Sequence, residues 1–286
     1  MKKIIFTLLS CAALILASCD KIDEQNYIIY SGAVGEWFDG NGVTDHSQRA
    51  IIEKYTGVRC VNCPTADEAI NSALTQYNGK LLAVAIHDSG AFGKPYSGNP
   101  DLRTDAGDDW SHYFGVFAAG QYPTALVNRT TASSGWDLFN PISGINSHVD
   151  PIVNSDADVA IEVAAVDNQD DITITVNLEF LNKVSDQLNV TLFFIEDGIV
   201  AAQSLPDGSK DNEYVHNHVL RDVITDVWGA EVDCTGAVGE KRMAQFDYHN
   251  VNHSLNISNC HIVALLSNRT TRQILNVAET EIKIAK

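Results

Sequence analysis

The chain has 286 residues, a formal net charge of −18 at pH 7 and six cysteines. This length is enough for one large domain or two ordinary ones. A chain this acidic is repelled by nucleic acid and by anionic membrane surfaces, so we expect no nucleic-acid partner.

The N-terminus has the pattern of an exported lipoprotein. Lys2 and Lys3 precede an apolar run over 4–17, which is too short to span a bilayer and is typical of a secretory signal peptide. Small residues then lead to Cys19, whose thiol would accept diacylglycerol once residues 1–18 are removed. The sequence therefore predicts a membrane anchor through lipid on Cys19. The alternative is an ordinary signal peptide followed by a coincidental cysteine.

Beyond the signal peptide, residues 19–47 are polar and glycine-rich, which predicts a lipidated tether and a first strand. An α/β domain is predicted over 48–155. It contains, in order, a β-branched run, a helix pattern that begins with proline and a continuous apolar run, at 50–55, 64–77 and 81–87. A strand, a helix and a strand in this order form a βαβ unit with a parallel sheet. The segment 88–109 is rich in Gly, Pro and Asp and is predicted to be an irregular insertion.

After Ser155 the hydrophobic period changes to two. Apolar residues alternate with polar ones from Ile172 to Phe180, and similar stretches recur to the end of the chain. Regularly spaced strands with turn residues between them predict an all-β, immunoglobulin-like sandwich over 156–286.

The motif that carries chemistry is Cys60-Val61-Asn62-Cys63, between a predicted strand and a predicted helix. In this context a C-x-x-C motif is typical of thioredoxin-like domains. Cys60 at a helix N-terminus, next to Arg59, would be stabilised as a thiolate nucleophile, and Cys63 one turn later could resolve a mixed disulfide.

A second match lies downstream, where Tyr122-Pro123-Thr124 precedes a predicted strand. It looks like the cis-proline loop of thioredoxins, which faces the C-x-x-C motif and holds a substrate chain. Pro123 is therefore the candidate substrate clamp.

Three segments resemble the twenty-eight-kilodalton outer-membrane protein family of Bacteroidetes: Tyr55-Thr56-Gly57, Asn62-Cys63-Pro64 and the stretch 214–221. The resemblance implies a lipoprotein at the outer membrane, with a thioredoxin-like domain followed by a β-sandwich. It implies no biochemical role. The acidic residues 20–24 resemble the sorting tethers of surface lipoproteins, so both a periplasmic and a cell-surface location stay open.

Two departures from working thioredoxins matter. Arg59 replaces the usual Trp before the first cysteine, and Lys54 occupies the position of the buried acid that assists proton transfer. Glu53 is adjacent, but on a strand its side chain should face the other way. The sequence therefore favours a surface or periplasmic binding or adhesion protein of unknown partner. The alternative is a membrane-tethered thiol-disulfide oxidoreductase that uses Cys60, Cys63 and Pro123.

The remaining cysteines, Cys234 and Cys260, are predicted to form a second disulfide, since an even count in an oxidising compartment favours pairing. A zinc site with His249 and His253 fits the spacings poorly. We expect no cofactor.

Two weaker metal patterns are also present. The acidic alternation over 207–213 has the oxygen spacing of a calcium loop but lacks its glycine and its final glutamate. His216 and His218 would share one face of a strand, without an evident third ligand. We therefore predict no bound metal.

Overall fold

The computed structural model of the protein describes residues 35–169, 171–249 and 257–285. Cys19 and the signal peptide lie outside the described residues, so the prediction of lipidation stays a prediction. Within these ranges, no helix has both the length and the apolar character needed to cross a membrane.

The first half of the molecule is an α/β layer structure. Its strands and helices are β1 (Trp37–Asp39), β2 (Ala50–Thr56), α1 (Cys63–Tyr77), β3 (Leu81–His87), α2 (Asp105–Tyr113), α3 (Val116–Ala119), β4 (Thr124–Val127), β5 (Thr131–Ala132), β6 (Gly135–Trp136) and α4 (Ile145–Val153). The predicted strand–helix–strand order is confirmed, and β2 pairs in parallel with β3 and antiparallel with β4.

All residues of β2 and β3 are buried because helices cover both faces of their sheet. On one face, Ile70 of α1 and Val149 of α4 pack against Ile52 of β2. On the other face, Trp110 of α2 and Phe114, which follows that helix, lie in one apolar cluster with side chains of β2 and β3 such as Ile51 and Val84. This two-sided burial explains why both strands have continuous apolar sequences.

The second half is built from strands. They are β7 (Val159–Asp167), β8 (Asp171–Phe180), β9 (Leu188–Glu196), β10 (Ile199–Val200), β11 (Gln203–Ser204), β12 (Lys210–Asp211), β13 (Val215–His216), β14 (Val219–Val223), β15 (Ala230–Glu231), β16 (Lys241–His249), β17 (Cys260–Asn268) and β18 (Ile274–Ile284). Burial along β8 alternates strictly, as its period-two sequence predicts.

The long strands of this half form two layers that enclose one apolar core. Side chains of β7, β8 and β16, such as Ile174 and Phe246, pack against side chains of β9 and β17, such as Phe194 and Ile262. Strand β18 joins the two layers, because it pairs antiparallel with β17 and then, near Ile282, in parallel with β7.

The two halves share one sheet of 12 strands. Strand β14 pairs antiparallel with β9 and in parallel with β3, where Val219 lies opposite Ala85 and the Ala85 N–H donates to the His218 carbonyl at 2.7 Å. The change of hydrophobic period after Ser155 therefore does not coincide with a break in the sheet. The strand order is β1-β16-β8-β7-β18-β17-β9-β14-β3-β2-β4, with β15 paired to β9.

The predicted disulfide between Cys234 and Cys260 is wrong, because the two residues lie at opposite ends of β9. Cys260 pairs with Glu196 at one end of that strand, and the N–H of Val232 donates to the Leu188 carbonyl at the other. Since β9 has 9 residues, its ends are roughly 26 Å apart at ~3.3 Å per residue. A disulfide needs Cα atoms within about 7 Å. Among the described residues, no disulfide joins Cys234 to Cys260.

Candidate functional site

Cys60 and Cys63 form a disulfide in the short loop that connects β2 to α1. Their Cα atoms are 5.4 Å apart. The Cys60 N–H donates to the Gly57 carbonyl at 2.9 Å, and α1 begins at Cys63 with Pro64 in its first turn. The predicted position of the motif, between a strand and a helix, is confirmed. Both cysteines are buried, with 2% and 1% of their surfaces exposed.

The Tyr122–Pro123 peptide bond is cis. Pro123 directly precedes β4, whose first residue Thr124 lies opposite Tyr55 near the end of β2. The disulfide loop follows that same end of β2. The structure therefore brings Pro123 and the cysteines to the same end of these two neighbouring strands. Whether Pro123 acts as a substrate clamp is a separate matter and stays a prediction.

Phe92 of the insertion connects these two loops. Its carbonyl accepts a hydrogen bond from the Arg59 N–H at 3.0 Å, and its ring lies 5.5 Å from the Tyr122 ring. Phe92, Tyr122 and Pro123 also line a cavity of about 510 Å³. The insertion therefore forms one wall beside the proline loop.

The Arg59 side chain is turned toward the insertion. Its guanidinium donates to the carbonyls of Lys94 at 2.7 Å and Pro95 at 3.1 Å, and it lies 4.2 Å from the centre of the Tyr96 ring. These contacts show that Arg59 holds the insertion against the motif.

A segment of the second half crosses the disulfide loop. We call residues 199–216 the strap. The Gln203 side chain, which is 3% exposed, donates through Nε2 to the Cys60 carbonyl at 2.9 Å. The Ser204 N–H donates to the Val58 carbonyl at 2.9 Å. Sequence reasoning missed these residues, because a lone Gln in a turn-rich stretch has no distinctive pattern.

The strap is also tied to its surroundings. The Ala202 N–H donates to the side-chain oxygen of Asn99 at 2.6 Å, and the hydroxyls of Ser204 and Tyr96 are 2.7 Å apart. At its far end, the Tyr214 hydroxyl donates to Asp67 of α1 at 2.9 Å. Both the insertion and α1 therefore hold the strap in place.

Lys54 lies on β2, on the side of the strand opposite to Glu53. Its side chain is 5% exposed and forms a salt bridge with Asp67, one turn after Cys63 on α1. Burial and the Asp67 carboxylate raise the pKa of Tyr214, which shares that carboxylate. An ammonium group paired in this way has no lone pair to accept a proton.

Two buried histidines complete this side of the sheet. The His87 and His216 rings have centroids 5.8 Å apart. Burial lowers the pKa of His216 to about 4 and that of His87 well below its usual range, and the charge of Lys54 acts in the same direction. Within the described part of the chain, His87 Nδ1 and His216 Nε2 have no hydrogen-bond partner.

Glu53 faces the opposite side of β2, as expected. It is fully buried and accepts hydrogen bonds from Arg129 Nη2 at 2.7 Å and Arg129 Nε at 2.9 Å. The Arg129 guanidinium lies between 5.2 and 5.8 Å from the ring centres of Trp110, Phe114 and Trp228. Glu53 is therefore part of a closed ion pair, directed away from the cysteines.

The acidic alternation over 207–213 makes local turns. Asp207 accepts from the Ser209 N–H and Asp211 from the Glu213 N–H, both through side-chain oxygens. Among residues 35–169, 171–249 and 257–285, no group of three or more His, Cys, Asp or Glu side chains is arranged to hold a metal ion.

Comparison with known proteins gives both a fold and a family. HBP35 of Porphyromonas gingivalis is similar in structure, with a TM-score of 0.61 and 15% identity over 84% of this chain and 77% of its own. A protein of Agrobacterium tumefaciens matches with a TM-score of 0.52 and 16% identity over 84% of this chain and 96% of its own. At these identities the likeness shows the fold alone.

A domain of the outer membrane lipoprotein Omp28 from Porphyromonas gingivalis is 20% identical over 46% of this chain and 92% of its own, with a TM-score of 0.33. No curated protein sequence matches the chain. The family model described as outer membrane protein Omp28 matches residues 110–286, which is more than half of the chain. The chain therefore belongs to the Omp28 family of outer membrane proteins.

Proposed function

We propose that this Omp28 family member is anchored to the outer membrane by lipid on Cys19 and acts as a binding or adhesion protein. Its first half is a thioredoxin-like scaffold, and its second half is an immunoglobulin-like sandwich that extends the same sheet. The signal-peptide pattern with small residues before Cys19 and the family membership support the anchor.

The observation that carries this proposal is the buried disulfide beneath the strap. Thiol–disulfide exchange requires a nucleophile to reach a sulfur atom, and catalytic cysteines are partly exposed for that reason. Here Cys60 is 2% exposed, and Gln203 of the strap is hydrogen-bonded to its carbonyl. The pair therefore stays oxidised and contributes to the scaffold.

The absence of a suitable base supports the same conclusion. Lys54 is committed to Asp67, and Glu53 is committed to Arg129 on the other side of the strand. Burial also keeps His216 a weak base, since it lowers the pKa of that imidazole to about 4. Of these three described side chains, none is then suited to removing a proton from Cys63 at neutral pH.

Turnover and redox potential test the scaffold role. We expect the purified mature protein to reduce insulin no faster than its Cys60→Ser variant. We also expect the Cys60–Cys63 pair to have a potential below about −300 mV, as structural disulfides do. Insulin reduction by the wild type that disappears in Cys60→Ser would overturn the scaffold role.

A second candidate function is a membrane-tethered thiol-disulfide oxidoreductase, with Cys60 as nucleophile, Cys63 as resolving thiol and Pro123 as clamp. One observation favours it, namely the position of Pro123 beside the end of β2 from which the disulfide loop follows. In that case a Cys63→Ser variant would accumulate mixed disulfides with client proteins, whereas a scaffold would not.

The anchor is tested separately by metabolic labelling with a fatty-acid analogue. We expect the wild type to be labelled and Cys19→Ala to be unlabelled, because the lipid is attached to that thiol. A Cys11→Ala variant is a matched control, since Cys11 lies inside the predicted signal peptide. Equal labelling of the wild type and Cys19→Ala would overturn the anchor.

A further inference from the structure

The strap contacts the disulfide loop through the loop's main chain. Gln203 Nε2 donates to the carbonyls of Cys60 at 2.9 Å and Gly57 at 3.5 Å, and the Ser204 N–H donates to the Val58 carbonyl at 2.9 Å. An extended polypeptide docks on an exposed backbone through hydrogen bonds of this kind. The strap thus occupies carbonyl groups that an incoming chain would use to approach Cys60.

The strap lies outside the large sheet. Among the strands that the structure describes, its four short strands pair with each other, β10 with β13 and β11 with β12. Its outer side is partly exposed, with Val200 at 56% and Val215 at 50%. Segments with few buried contacts open locally while the rest of a protein stays folded. Ala201, Ala202 and Gln203 of the strap are buried, but no strap residue belongs to the three large apolar clusters described above, so the strap can lift without disrupting them.

Beyond its contacts with the disulfide loop, single hydrogen bonds attach the strap at three further points. The Ala202 N–H is held by Asn99, the Ser204 hydroxyl by Tyr96 and the Tyr214 hydroxyl by Asp67. The last of these matters most for access, because Asp67 lies on α1 one turn beyond Cys63. Tyr214 therefore fixes the far end of the strap to the helix that carries the motif.

We infer that the strap is a cover over the disulfide loop, and that its hydrogen bonds, rather than the cysteines themselves, prevent the Cys60–Cys63 disulfide from exchanging. This inference rests on the proposed function, in which the disulfide is sealed, and identifies what seals it. When the strap lifts, the disulfide becomes a substrate for a small dithiol reductant or for a dithiol protein.

The exchange conserves atoms and electrons. One thiolate of the dithiol attacks the Cys60 sulfur, the Cys60–Cys63 bond breaks, and Cys63 leaves as a thiolate that takes a proton from solvent. The second thiolate of the reductant then attacks the mixed disulfide and releases Cys60, which is protonated in turn. The reductant becomes a cyclic disulfide, and its two electrons reside on the two cysteines.

The test measures the rate at which dithiothreitol reduces the disulfide of the folded, full mature protein. Samples are quenched by alkylation and analysed by mass spectrometry. We expect Gln203→Ala to increase the rate roughly tenfold, because it removes the side chain that donates to Cys60. We expect Tyr214→Phe to increase it severalfold, because it loosens the far end of the strap while Gln203 stays in place.

Gln245→Ala is the matched control, since Gln245 is an exposed residue of β16 in the sandwich, and we expect it to react at the wild-type rate. Urea unfolding of each variant shows that it is folded, and the rate of the unfolded wild type sets the upper limit. If dithiothreitol reduces both Gln203→Ala and Tyr214→Phe at the wild-type rate, the inference that the strap covers the disulfide is overturned. So would a folded wild type that already reacts at the unfolded rate. Failure of the proposed function appears in a different readout, the turnover of insulin by the wild type.

Discussion

Glu53 and Lys54 are neighbours on β2, yet they form two different kinds of ion pair. Successive side chains of a strand point to opposite faces. Glu53 therefore meets Arg129 under a group of aromatic rings, where the two side chains are 0% and 1% exposed. Lys54 meets Asp67 on the side of the disulfide, where the side chains are 5% and 30% exposed.

The difference indicates which side of the sheet is built for rigidity. The Glu53–Arg129 pair is almost completely buried and lies against the rings of Trp110, Phe114 and Trp228. The Lys54–Asp67 pair also binds Tyr214 of a segment that lies outside the main sheet. The first pair belongs to the core shared by the two halves. The second belongs to the attachment of the strap.

The largest effect should come from breaking the enclosed pair. Arg129→Met leaves the Glu53 carboxylate buried without its partner, which should lower the free energy of unfolding by ~3–5 kcal/mol. Urea denaturation measures the change. The double variant Glu53→Leu with Arg129→Met should recover most of the loss, because no uncompensated charge remains. A loss below ~1 kcal/mol in the single variant would show that water reaches Glu53.

Acid should act on the other side of β2, through His87 and His216. Their folded pKa values lie below that of an unfolded histidine, so the unfolded chain binds more protons as the pH falls below about 6.5. These two groups leave stability unchanged above that pH and lower it as the pH falls. His216 alone contributes ~2 kcal/mol of loss at pH 5, because its folded pKa is about 4, and His87 adds to that loss.

Thermal unfolding between pH 7.5 and pH 5 tests this prediction. His216→Asn should reduce the pH dependence by roughly half, because His87 stays buried. The variant His249→Gln, at a side chain that is 65% exposed, serves as the control. A wild-type protein with the same stability at both pH values would contradict the buried, neutral state of the two imidazoles.

Breaking the Lys54–Asp67 pair should lower the free energy of unfolding less than breaking the Glu53–Arg129 pair. Lys54→Met leaves Asp67 partly exposed and still bound to Tyr214, so water can solvate the carboxylate. We expect a loss of ~1–2 kcal/mol, smaller than for Arg129→Met because solvent screens the exposed partner. Equal losses of stability in Lys54→Met and Arg129→Met would contradict the conclusion that the two sides of the sheet differ in rigidity.

The smallest effect should come from Tyr214→Phe, which removes one partly buried hydrogen bond. We expect global stability to decrease by ~1 kcal/mol or less. Hydrogen exchange should show a larger local change, with faster exchange of the Ala202 and Ser204 amides and unchanged exchange in β8. Unchanged exchange at Ala202 and Ser204 would show that Tyr214 does not hold the strap.

The elements that the sequence predicts best are those whose pattern is local. The Pro64 helix start, the apolar run of β3 and the alternation of β8 each depend on neighbouring residues, and each is present in the structure. The opposite directions of Glu53 and Lys54 were also predictable, because they depend only on strand geometry.

Long-range pairings were not predictable in this way. Nothing in the sequence of β14 indicates that it will pair with β3, because a β-ladder is recognised by its partner and register and not by its own composition. Gln203 and Arg129 were missed for the same reason, since each acts through a residue far away in sequence. The Cys234–Cys260 disulfide was predicted by counting cysteines, which contains no information about distance.

The position of β14 between β9 and β3 has a consequence for the order in which the protein can be made. A ribosome releases β2 and β3 long before β14, so the edge of β3 that β14 will occupy has no partner for more than a hundred residues of synthesis. Unpaired strand edges are templates for association with other chains. A nascent chain of this protein should therefore depend on a holding chaperone until β14 has emerged, and fragments that end before Val219 should aggregate.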